Sequence, residues 1–142
     1  MDNRTITVLY GKNPKSMVKE LMGALEVEKD IPSKDTLIGL KPNLVVAKPH
    51  ETGATTSPEM VAGVIEYLKE HGFEKIIILE GSWVGDSTTR AFKTCGYTDV
   101  SKRYDVPLYD CQKEKASFHD AGDGMKIEVV DLAMKVGYLI NM

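Results

Sequence analysis

Two polar segments of this sequence carry the residue types that hold small anions. Lys41-Pro42-Asn43-Leu44 closes an apolar run, Leu37 to Leu40, with an ammonium and a carboxamide. Gly53-Ala54-Thr55-Thr56-Ser57-Pro58-Glu59 follows a short loop and reads as the start of a helix. Ser57 is a natural N-cap, Pro58 is preset for the first helical position, and Glu59 suits the positive end of the dipole. Lys41 can neutralise a phosphate or carboxylate as a point charge. Asn43 can orient such a group. Thr55, Thr56 and the first N–H groups of the helix can donate hydrogen bonds to it. The same groups have an ordinary alternative, which is to cap the helix and brace its loop.

A second set follows the apolar run Ile76-Ile77-Ile78-Leu79. Glu80 ends it, Gly81-Ser82-Trp83-Val84-Gly85 follows, and Asp110 ends a later short apolar stretch. A half-buried carboxyl is raised by desolvation toward the range of a general base, or lowered by a neighbouring lysine. It can equally well receive N–H bonds from its own following loop. Asp110 has the same two readings. Ser82 has neither the GxSxG elbow nor an evident histidine base, which argues against a serine hydrolase. The glycines form neither a dinucleotide fingerprint nor a Walker loop. Trp83 is either a ligand platform or a ring packed on a loop or a partner. His50, Glu51, His71 and His119 lack metal-ligand spacing, and Asp120 with Asp123 lacks the ligand order of a calcium loop.

These residues need a scaffold to bring them together, and the periodicity supplies one. Thr5 to Tyr10 is β-branched and apolar and predicts a strand. Asn13-Pro14 opens a helix whose face is Met17, Val18, Leu21, Met22 and Leu25. Glu26 to Asp35 reads as a loop. Thr36 to Lys41 is the next strand, with Leu44 to Ala47 as its continuation after Pro42. A helix runs from Pro58 to His71, with Gly72 as a left-handed cap. Lys75 to Glu80 is a strand buried on both faces. Asp86 or Ser87 caps a helix that Gly96 stops near Cys95. Val106 to Cys111 and Met125 to Val130 are strands, separated by a polar segment with a turn at Asp123-Gly124. Asp131 caps a helical turn, and Val136 to Asn141 is the last strand.

Alternation of this kind specifies a three-layer α/β domain, with a mainly parallel sheet and helices on both faces. Strand ends in such a sheet gather Lys41, Asn43, Glu80, Ser82 and Asp110 on one edge, with Thr55, Thr56 and Ser57 beside them. The chain has 142 residues, 42% hydrophobic and 27% charged, with a net charge of −3. That is one ordinary globular domain over residues 1–142. Its interspersed charges form no basic stripe and argue against a nucleic-acid partner. No apolar run is long enough for a membrane, and the amino terminus lacks the apolar core of a signal peptide, so a cytoplasmic location is expected. Cys95 and Cys111 are too few for the four thiolates of an iron–sulfur cluster within one chain.

Several pieces in order resemble the family called domain of unknown function 362. They are Lys41-Pro42-Asn43-Leu44, the Gly53 to Pro58 helix start, Ile76 to Gly81 with Ser82, Gly96-Tyr97, and Tyr138-Leu139-Ile140-Asn141. The match covers about the first half of a typical member. The family pattern continues after the final strand with a segment resembling Pro-x-Leu-Lys-Thr-His, so the chain is expected to be short of its family at the carboxyl end. The resemblance implies a link to redox or anaerobic metabolism, because members often sit beside ferredoxin-type iron–sulfur modules. A looser likeness, to the N-terminal domain of lactate racemase, concerns only the order strand, polar loop, Pro-initiated helix, strand. Two functions are therefore expected in competition. One is binding of a small anionic ligand, in an enzyme linked to redox partners. The other is an interaction module that forms a homodimer or pairs with a partner chain.

Overall fold

The computed structural model describes residues 5–142. Helix α1 spans Pro14–Ala24, a short turn of helix, α2, spans Val27–Asp30, and strand β1 spans Ile38–Lys41. Helix α3 (Pro58–Glu70) leads to strand β2 (Ile76–Glu80). Helices α4 (Thr88–Thr94) and α5 (Tyr97–Tyr104) lead to strand β3 (Leu108–Asp110). A hairpin of β4 (Ala116–Asp120) and β5 (Lys126–Val130) precedes strand β6 (Tyr138–Asn141).

The main sheet has the order β3-β2-β1-β6 and every pair in it is parallel. Ile38 stands beside Ile76 and Tyr138, and Ile78 beside Leu108. The steps from β1 to β2 and from β2 to β3 move in one direction. Right-handed crossovers therefore put α3, α4 and α5 on the same face. On that face Ile38, Leu40, Ile76 and Ile78 join Val61, Ile65, Leu68 and Val100 in one core. The return from β3 to β6 crosses the other way. Its 3-10 turn, Ala133–Lys135, brings Val136 over Gly39 on the opposite face. That turn is the helical part of the thinner third layer, and the fold is a three-layer α/β arrangement with a mainly parallel sheet.

Two close approaches explain glycines inside these elements. A Cβ on Gly63 would lie 2.5 Å from Cγ1 of Val18 and 2.7 Å from the Lys15 carbonyl oxygen. Only a glycine lets α1 and α3 come so near. A Cβ on Gly39 would lie 2.9 Å from Cδ2 of Leu79 and 3.0 Å from Val136. Across the α1–α3 contact, the Lys15 ammonium bonds Glu66 at 2.8 Å and the Tyr104 hydroxyl at 3.1 Å, which ties in α5.

Four expectations are corrected. Thr5 to Tyr10 is not a strand, and it is largely exposed. Its pattern shows that it fits a pleated surface, but a strand also needs a neighbour, and none pairs with it here. Leu44 to Ala47 leaves the sheet after Pro42 and runs as a loop. The loop from Glu26 contains α2, entered through a left-handed Glu26. Helix α5 and strand β4 lie in segments that the sequence leaves unassigned, because neither has a long apolar period. Asp123 and Gly124 both have positive φ and form the expected hairpin turn.

Candidate functional site

The carboxyl ends of β1 and β2 meet at Glu80, which is 4% exposed. Its Oε2 accepts from the Lys41 ammonium at 3.0 Å and from the Leu44 N–H at 3.4 Å. Its Oε1 accepts from the Gly81 N–H at 2.8 Å. A buried carboxylate with three donors is a satisfied one. The loop-bracing reading of Glu80 holds, with Lys41 as an added partner. The Lys41 side chain stays 40% exposed, and Glu80 is its one hydrogen-bond partner among the described residues.

Thr56 laces the two anion-type segments together. The Asn43 N–H donates to Thr56 Oγ1 at 2.9 Å, and the Thr56 N–H donates back to the Asn43 carbonyl at 2.9 Å. The Thr56 hydroxyl then donates to the Met142 carbonyl at 3.2 Å, and Tyr97 donates to the Thr56 carbonyl at 3.0 Å. The Met142 N–H closes the ring on the Lys41 carbonyl. Burial pushes the Tyr97 phenol far above its ordinary value, with nearby Cys95 and Glu80 adding to it, so it stays a neutral donor. The Asn43 side chain is exposed and makes one long bond, to the Ala54 carbonyl at 3.4 Å.

Ser57 occupies the N-cap position of α3, but its side chain makes no capping bond. Its Oγ is shielded from solvent and has no hydrogen-bond partner. Thr55 is buried and donates to the Lys48 carbonyl at 2.9 Å, away from Lys41. Ser82 is buried too. Its hydroxyl donates to the Leu44 carbonyl at 2.7 Å, and its N–H donates to Thr88 Oγ1 at 2.9 Å. Both serve as loop braces. Asp110 stands beside Glu80 in the sheet, but its carboxylate is engaged by the Thr89 hydroxyl at 2.8 Å and by Lys113 at 3.3 Å. Burial opposes its charge, yet hydrogen bonds from Thr89, Thr88 and Gln112 hold its carboxyl below the ordinary range. The structure thus brings Lys41, Asn43, Thr56, Ser57 and Glu80 into one junction, with Thr55, Ser82 and Asp110 supporting its flanks.

Other participants carried little signal. Asp86 was visible only as a cap candidate. It accepts from the Ala47 N–H at 2.9 Å and the Ser87 N–H at 2.7 Å, and it pairs with Arg90 at 2.6 Å. Those two backbone donors, with Arg90 behind them, hold its carboxyl below the ordinary range. Gln112 bridges the Ser82 and Asp86 carbonyls, and nothing in the sequence singled it out. Trp83 is exposed and its ring lies over Gly85, which packs it on its own loop. A separate apolar groove of about 400 Å³ runs between α1, α3 and β6, lined among others by Val18, Leu21, Met60, Tyr138 and Ile140.

The residues present do not fit an iron–sulfur cluster. Cys95 and Cys111 are both free, and burial raises each thiol above its ordinary value. Among the described residues no three His, Cys, Asp or Glu side chains gather as a metal-ligand set. No helix among them is long and apolar enough to cross a membrane.

The architecture defines a parallel α/β domain with a crown of polar loops at the carboxyl ends of its strands, the usual location of ligands in this class. The chain belongs to the family described as Domain of unknown function (DUF362), whose model matches residues 38–142. No curated protein and no solved structure matches it.

Proposed function

We propose that the junction of Lys41, Asn43 and the start of α3 binds a small anionic ligand, a carboxylate or a phosphate. The observation that carries this reading is the state of Lys41. Glu80 holds its ammonium at the strand ends through one hydrogen bond, and the side chain stays 40% exposed. Beside it stand an exposed carboxamide and the positive end of a thirteen-residue helix, whose N-cap serine hydroxyl is shielded from solvent and has no partner. The Lys41–Glu80 pair is neutral as a unit, so the ligand is recognised through aimed donors more than through net charge. Thr56 acts by positioning, since its hydroxyl is already used on both sides. The redox link of such a ligand site, through ferredoxin-type partners, rests on the family resemblance and belongs to the proposal.

Titration of inorganic phosphate and of acetate into the protein, followed by amide NMR shifts, tests this. Shifts are expected at Asn43, Thr56, Ser57 and Glu59, with affinity reduced about tenfold in Lys41→Ala. Equal affinity in the two proteins would show that Lys41 has no such role.

A second reading, an interaction module without catalysis of its own, is favoured by a different observation. Among the described residues β6 has a sheet neighbour on one side only, and the apolar groove lies directly along it. Open strand edges and apolar grooves are both surfaces that partner chains cover.

A further inference from the structure

This inference rests on the second reading and names the partner. Two features of the chain are each incomplete. β6 pairs with β1 through alternate residues, as in the Met142 N–H to the Lys41 carbonyl, which turns the N–H and C=O groups of Leu139 and Asn141 outward. The edge is uncharged and has no proline or bulge to protect it. Meanwhile Thr5-Ile6-Thr7-Val8-Leu9-Tyr10 has the alternation of a strand and forms none. Ile6, Val8 and Tyr10, which alternation would put on one face, are 88%, 64% and 91% exposed. No backbone hydrogen bond joins residues 5–10 to β6 in the same chain. In its own chain Leu9 lines a second, smaller cavity with Met17, Val18, Leu21 and Met60.

We propose that the partner covering β6 is a second copy of this chain, whose Thr5–Tyr10 segment pairs with the β6 edge while its own β6 receives the reciprocal segment. Three points favour this occupant. The first is length: six residues at ~3.3 Å each reach about 20 Å, enough to span the four residues of β6. The second is chemistry. The groove is apolar, and a strand laid along β6 turns Ile6, Val8 and Tyr10 into it, with Thr5, Thr7 and Leu9 on the Leu139 face. The third is charge. Neither Thr5–Tyr10 nor Tyr138–Asn141 contains an Asp, Glu, Lys, Arg or His, so two-fold exchange sets no like charges opposite each other. Direct pairing of β6 with β6 of the other copy would cover the edges but leave both amino-terminal segments exposed. Reciprocal exchange covers edge, groove and segment together.

Sedimentation velocity over a hundredfold range of concentration tests the assembly, with Val8→Lys as the probe, since Val8 is exposed and its replacement leaves the monomer fold intact. A dimer is expected, with its dissociation constant raised at least about tenfold by Val8→Lys. A mixture of Thr7→Cys chains and Leu139→Cys chains should give a bridged heterodimer under mild oxidation, because these two thiols can meet only across chains in the exchanged form. A dimer unaffected by Val8→Lys would overturn the exchange and leave self-association through another surface. A monomer at every concentration would overturn both the exchange and self-association.

Discussion

The Lys41 ammonium and the Glu80 carboxylate pair at 3.0 Å across the ends of two adjacent parallel strands, and their exposures are opposite. Glu80 is almost wholly buried and Lys41 is nearly half open. The carboxylate therefore depends on the pair far more than the ammonium does. Glu80→Gln keeps the shape but removes the charge that three donors share. One amide nitrogen must then face the Leu44 or Gly81 N–H, or the ammonium itself. Hydrogen bonds to charged groups contribute about 1.5–3 kcal/mol, and the open side of Lys41 screens part of this, so a loss of ~1–3 kcal/mol is expected. Urea unfolding of the two proteins measures it. An unchanged midpoint would mean that Glu80 is not the brace of this junction.

Asp86 makes the acid limb of stability predictable. Its folded carboxyl lies below the ordinary value, because the Ala47 and Ser87 N–H groups and Arg90 favour the charged form. The unfolded side chain titrates near ~3.9. The stabilisation is thus fully present above that pH and is lost as pH falls through the lower, folded value. Asp86→Asn should destabilise the protein at pH 7, and the gap between variant and parent should narrow as pH falls toward 3. Denaturant midpoints at several pH values give the comparison. A gap of constant size would assign the effect of Asp86 to packing instead of charge.

Most of the scaffold could be read from the sequence because its elements have long periods and clear punctuation. Pro14 and Pro58 start helices, Gly72 and Gly96 end them, and the apolar run to Glu80 is the central strand. What could not be read depends on partners distant in sequence. Thr5 to Tyr10 has a strand's pattern without a neighbour. Leu44 to Ala47 is apolar, but the Glu80 carboxylate and Asp86 draw its N–H groups out of the ladder. The site divides in the same way. The spacing located Lys41, Asn43 and Thr56 together. It could not tell that the Thr55 and Ser82 hydroxyls are consumed by the Lys48 and Leu44 carbonyls, since those pairs form only in the folded chain.

The α1–α3 contact yields a prediction in which propensity and packing have opposite signs. Gly63→Ala improves helix propensity by about 0.8–1.0 kcal/mol. The added methyl would meet Val18 and the Lys15 carbonyl at distances that real Cβ atoms do not tolerate, and one of those atoms is backbone. Overpacking costs typically ~1–3 kcal/mol. A net loss is expected on chemical unfolding. A gain in stability would show that the two helices can part without penalty.

Helix starts give a prediction that separates structure from ligand at Ser57. Asn13 and Ser87 both cap in full: their side chains accept from the Ser16 N–H and the Arg90 N–H. Asn13→Ala and Ser87→Ala should each cost ~1 kcal/mol. Ser57 sits at the same position of α3 with a hydroxyl that bonds nothing. Ser57→Ala should leave thermal and denaturant midpoints within ~0.5 kcal/mol of the parent. If this hydroxyl is kept for an anion at the strand ends, the same substitution should weaken phosphate or acetate binding while stability holds. A loss of stability equal to that of Asn13→Ala would return Ser57 to an ordinary capping role.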